Sequence, residues 1–202
     1  MTYGIGLVFD PHAEAHIREV WGRLASQGYT TPLARPGGLP HVSLILSETL
    51  QIDDLARDLE GLRHAPRRLE VRVSHLGMFT EPELVLFYGI TPTAGLLRLH
   101  ADVARMYRRW STTITARTQP GAWVPHCTLA TRVVAHRMSD AIATAATLPL
   151  PRVVHRVRLA MVQFDQAQVE LLRLFPWQGS PVHHRRFPLR QGSDGRSDLT
   201  GA

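Results

Sequence analysis

The sequence predicts a bilobal α+β protein in which two related lobes share a central cleft. Three observations carry the prediction. Strand and helix signals alternate from residue 3 to residue 176. The order of those signals repeats at a period of about 85 residues. The same short pattern, apolar-Pro-His-x-[Ser/Thr]-Leu, occurs once in each half, at 39–44 and 124–129.

The elements follow in chain order. Residues 3–9 are apolar enough for a buried strand. Asp10 suits a helix N-cap and Pro11 the first helical position; Ile17, Val20, Trp21 and Leu24 then recur at helical spacing until Gly28 closes the helix. A loop with Arg35-Pro36-Gly37-Gly38 precedes a short strand from His41 and a helix near 52–63. Strands near 68–79 and 83–90 flank a turn at Thr80-Glu81-Pro82. The second half reads as a helix near 95–109, a strand from His126, a helix near 138–147, and strands near 152–164 and 168–176. An ungapped shift of 85 lays Pro40-His41-Val42-Ser43-Leu44 on Pro125-His126-Cys127-Thr128-Leu129. It also lays Phe79 on Phe164, Leu84 and Leu86 on Val169 and Leu171, and Tyr3-Gly4-Ile5 on Tyr88-Gly89-Ile90. The expected domain is 1–177, with lobes of approximately 3–87 and 88–177 related by a twofold. Residues 178–202, rich in Gly, Ser, Arg and Asp, read as a disordered tail.

Composition excludes several chemistries. All 23 basic residues are arginine, against 17 acids, for a net charge of +6. Without lysine there is no Schiff base, no P-loop lysine and no lysyl-adenylate. The bias toward arginine fits a GC-rich genome as its main cause. A single cysteine, Cys127, leaves no internal disulfide and suits a reducing compartment. No apolar run approaches about 18 residues, so no membrane span is expected. These features together predict a cytoplasmic protein, read as a monomer.

The chemistry is expected where the repeat is strongest. Alternate side chains of a strand share a face, so His41 and Ser43 point together, as do His126 and Thr128. Val42, Leu44, Cys127 and Leu129 then point into the core. Each half offers one imidazole and one hydroxyl on one surface. A neutral imidazole can take a proton from an attacking hydroxyl while an imidazolium protonates the leaving alkoxide. The hydroxyls can hold non-bridging phosphate oxygens as charge builds. Two histidines supply both acid and base, so neither metal nor any other cofactor is required. Cys127, on the opposite face, is not a candidate nucleophile.

The paired motif resembles the 2H phosphoesterase superfamily, specifically the 2′-5′ RNA ligase-like cyclic phosphodiesterases. The resemblance spans about residues 3–177. It implies a metal-independent enzyme opening 2′,3′-cyclic phosphates of RNA ends or small cyclic nucleotides to 2′-phosphates. By resemblance His126 is the base and His41 the acid, with Ser43 and Thr128 as phosphate ligands. Many relatives place an arginine five residues past the second histidine. Here Thr131 stands there and Arg132 follows it. Counting alternation puts Arg132 on the face of His126 and Thr128, as a substrate-binding candidate. Alternatives are ATP-independent 2′-5′ joining by the reverse reaction, and an RNA-binding module with little turnover.

Other features read more simply. His12 and His16 lack the Glu of an HExxH motif and are expected as helix-surface residues. His75 and His155 are expected as packed or edge residues, and His183-His184 as solvated linker. Phe87 and Tyr88 offer rings for base stacking, with at least one of them expected in the core. Gly4 and Gly6 form no dinucleotide fingerprint, because a third glycine is missing. The Arg-rich stretches 63–72 and 105–109 are expected as solvated, salt-bridged surface, with RNA contact the alternative.

Overall fold

A computed structural model describes residues 1–32, 37–61, 69–148, 153–154, 157–165 and 169–175. Among the described residues the fold is α+β, with two antiparallel sheets and four α-helices. Strand β1 (Thr2–Val8) leads into helix α1 (Pro11–Ser26). Asp10 caps that helix by accepting from the backbone N–H groups of His12 at 3.1 Å and Ala13 at 2.9 Å. Such a cap contributes about 1 kcal/mol. Ile17, Val20, Trp21 and Leu24 are buried, and Gly28 adopts φ +81°, the left-handed geometry glycine takes without strain.

The chain continues through β2 (His41–Ser47), α2 (Ile52–Glu60), β3 (Val73–Phe79) and β4 (Val85–Ile90). It then forms α3 (Ala94–Tyr107), β5 (His126–Ala130), α4 (Met138–Ala146), β6 (Arg158–Phe164) and β7 (Val169–Phe175). Two strands begin later than periodicity suggests. Val71 and Val154 bond to each other, N to O at 3.0 and 2.8 Å, so β3 and β6 join their sheets only from 73 and 158. The expected tail, His155, His183-His184 and most of the 63–72 stretch lie outside the described residues.

One sheet has the order β2-β1-β6-β7 and the other β3-β4-β5. Each sheet takes strands from both halves of the chain: β6 from the second half pairs with β1, and β3 from the first pairs with β4. The expected lobe boundary at 87/88 falls inside β4. The 85-residue shift carries His41 onto His126 and Val73–Phe79 onto Arg158–Phe164. It fails for Tyr3-Gly4-Ile5: Gly89 lies opposite His126, whereas Val8, not Gly4, lies opposite His41. That match is coincidental in register.

Both sheets and all four helices contribute to one continuous core, which includes Leu7, Trp21, Leu44, Leu55, Tyr88, Val103, Leu129 and Ala141. Helix α1 packs on β5 and α3 on β2, so each helix crosses to the sheet that does not hold the strand preceding it. A smaller cluster of Val8, Ala160 and Val162 covers the opposite face of the first sheet. No described helix is long and apolar enough to cross a membrane.

Candidate active site

Strand alternation places the two motifs as their sequence requires. Val42, Leu44, Cys127 and Leu129 are at most 1% exposed, while His41, Ser43, His126 and Thr128 are only half-buried. Strands β2 and β5 meet where the sheets join, with the Cys127 thiol against the backbone N–H of His41. Burial pushes that thiol up to about 12, so it stays protonated and inert as a nucleophile.

The two imidazoles are anchored alike. Nδ1 of His41 lies 2.6 Å from the carbonyl of Leu39, and Nδ1 of His126 lies 2.8 Å from the carbonyl of Val124. A carbonyl only accepts, so Nδ1 carries the proton in both rings and Nε2 is left for chemistry. Burial lowers the pKa of both histidines; for His41 the charge of His126 lowers it further. The hydroxyls of Ser43 and Thr128 bond to no described residue and remain open to a ligand.

Space and aromatic contact complete each half. Gly6 lies opposite Ser43, and a Cβ there would sit 3.6 Å from the His41 ring. Phe164 lies over Gly4 and packs against His41 at 5.5 Å between ring centroids. His126 meets Phe79 edge-on at 4.8 Å and Phe87 at 5.2 Å. Of the two aromatic candidates, Phe87 faces the site; Tyr88 is fully buried in the core.

The strand alternation that put Arg132 on this face does not continue past Thr128. The pairing of β4 with β5 shifts between Leu86 and Phe87, leaving Leu129 as an extra, bulged residue. A bulge reverses the alternation, so Leu129 and Ala130 both point to the core and the site face passes to Thr131. Strand β5 ends at Ala130, and Arg132, two residues beyond it, is exposed with φ +53°. Strand β2 bulges at Leu44, one repeat earlier, and its site face passes to Leu46, which lies over Gly4. Neither half carries an arginine at the position five past its histidine.

Sequence reasoning missed what holds the bulges. The indole Nε1–H of Trp123 donates to the Ser43 carbonyl at 2.8 Å, and that of Trp21 to the Thr128 carbonyl at 2.9 Å. His100, 2% exposed, stacks on Trp123 at 4.0 Å and bonds the Thr118 carbonyl. Paired polar aromatics near a motif are the one signal that pointed there.

The remaining candidates separate cleanly. His12 is exposed on α1, and among the described residues no three His, Cys, Asp or Glu side chains gather as metal ligands. Arg105, Arg108 and Arg109 bond to Asp102, Gln119 and Asp58.

A family model described as the 2′-5′ RNA ligase superfamily matches residues 9–167. The LigT structure from E. coli, complexed with 3′-AMP, is 16% identical with a TM-score of 0.51, covering 86% of this chain and 96% of its own. A structure described as a phosphoesterase is 16% identical (TM-score 0.49; 86% and 95% covered). Usb1 of Kluyveromyces marxianus with uridine monophosphate is 15% identical (TM-score 0.46; 85% and 96% covered). No curated protein matches the chain significantly.

Proposed function

The chain belongs to the 2′-5′ RNA ligase superfamily, and from that premise we propose that it is a metal-independent cyclic phosphodiesterase. Its substrate in this reading is a 2′,3′-cyclic phosphate, at an RNA end or on a small nucleotide. The observation that carries the reading is the pair of like-anchored imidazoles, His41 and His126, each beside an open hydroxyl. LigT, whose fold this chain shares, binds 3′-AMP, which fits a nucleotide ligand.

Neutral His126 takes a proton from water at Nε2 as the water oxygen bonds to phosphorus. The bond to the 3′-oxygen breaks, and His41, protonated at Nε2, delivers its proton to that leaving oxygen. A 2′-phosphate results. Ser43 and Thr128 donate to the non-bridging oxygens, where negative charge accumulates in the transition state. The family resemblance assigns His126 as base and His41 as acid. Joining without ATP would be the same step with a ribose hydroxyl replacing water as the attacking group and the 3′-oxygen again leaving; a chain without lysine has no lysyl-adenylate route.

The test is hydrolysis of 2′,3′-cyclic nucleotides in excess chelator, followed by phosphorus resonance. Turnover should persist, and His41→Ala and His126→Ala should each lower the rate by ~10²–10⁴-fold. Loss of activity on chelation, or near-normal rates in either variant, would overturn the two-histidine mechanism. Tight RNA binding with no turnover would favour a binding module instead.

A further inference from the structure

A third histidine stands in the row that holds His126. Across β3, β4 and β5, His75 lies opposite Gly89 and Gly89 opposite His126. Residues directly opposite on a sheet share a face, so His75 and His126 emerge on the same side. The pairing of β3 shifts between Val73 and His75, leaving Ser74 as the extra residue. Without that bulge Ser74 would face the site and His75 the core; the insertion re-aims the imidazole. Gly89 then makes room for it. A Cβ on Gly89 would lie 2.1 Å from Nε2 of His75, so the ring rests on bare backbone between its own strand and that of His126.

The ring is also oriented. The Ser74 hydroxyl lies 2.9 Å from Nδ1 of His75 and 3.3 Å from the Gly89 carbonyl, and by donating to Nδ1 it leaves the ring proton on Nε2. Nε2 is left unengaged by the described residues, and the side chain is exposed. The corresponding row of the first sheet is His41–Val8–Arg158, where Val8, 3% exposed, fills the middle place. Only the second sheet empties that place and lays a basic ring in it.

We propose that His75 is a substrate-binding residue, its Nε2–H donating to a phosphate oxygen of the nucleotide held beside His126. It supplies an N–H donor on a face where Thr131 and Leu46 stand at the two positions five past the histidines. The assignment deepens the phosphodiesterase reading and rests on it.

The test is binding of a nucleoside 2′-monophosphate by calorimetry, alongside steady-state hydrolysis of the cyclic nucleotide. His75→Ala should weaken the monophosphate about tenfold or more, as expected for a charge-assisted hydrogen bond. It should raise KM correspondingly, with kcat within about threefold. His75→Gln, which keeps a donor, should recover part of the loss. Gly89→Ala should reproduce it by displacing the ring, and should add little in the His75→Ala background. Monophosphate affinity within twofold of normal in folded His75→Ala would overturn the assignment, as would fully multiplicative losses for the two changes. Wild-type protein that binds the monophosphate but opens no cyclic phosphate would defeat the reaction and still leave the His75 contact measurable.

Discussion

His41 and His126 each engage Nδ1 with the carbonyl two residues upstream, so only Nε2 exchanges a proton with a substrate. Burial depresses both, and for His41 the charge of His126 lowers it further. Acid–base catalysis requires one ring neutral and the other charged. Because both shifts are downward, kcat/KM should trace a bell with its optimum below the ordinary histidine value of about 6.5. A rate profile across pH 4–9 checks this, and a maximum above pH 7.5 would contradict it. The four motif side chains were legible from spacing alone, because period-two alternation is rigid over three residues. Arg132 was not, because one inserted residue reverses every later side chain.

At the scale of elements, both motif strands bulge at the residue after the hydroxyl, Leu44 and Leu129, and the carbonyl freed there is taken by a tryptophan. These bonds hold Ser43 and Thr128 through their own backbone. Trp21→Phe leaves the Thr128 carbonyl buried without its donor, which costs about 1–3 kcal/mol beyond any loss of packing. Denaturant unfolding should show that loss, and an unchanged midpoint would mean that the bond does not brace the strand. Helices were the most legible elements, since α1 carries its cap, its apolar stripe and its closing glycine in sequence. Bulges were illegible because they depend on pairing, which one strand does not announce. The starts of β3 and β6 were hidden for the same reason: Val71 and Val154 satisfy each other.

For the molecule as a whole, His16, His41, His100 and His126 all have lowered pKa values, with burial the largest cause in each. The unfolded chain therefore binds protons that the folded chain refuses. Stability should be full above about pH 6.5 and fall as pH drops through the window below it. Thermal midpoints measured from pH 8 to pH 5 should decline on the acid side, and a flat or rising series would contradict the sign. The α+β class was readable from alternating signals, but the pairing of strands was not, because the two sheets exchange them. That exchange has a consequence for how the protein is made. Strand β1 is synthesised well before its partner β6, with about 150 residues between them. At a synthesis rate of about 5–20 residues per second, the interval is on the order of ten seconds or more. Throughout it, one edge of β1 stays open on the ribosome, so the nascent chain must be shielded from pairing with a neighbour until its second half arrives.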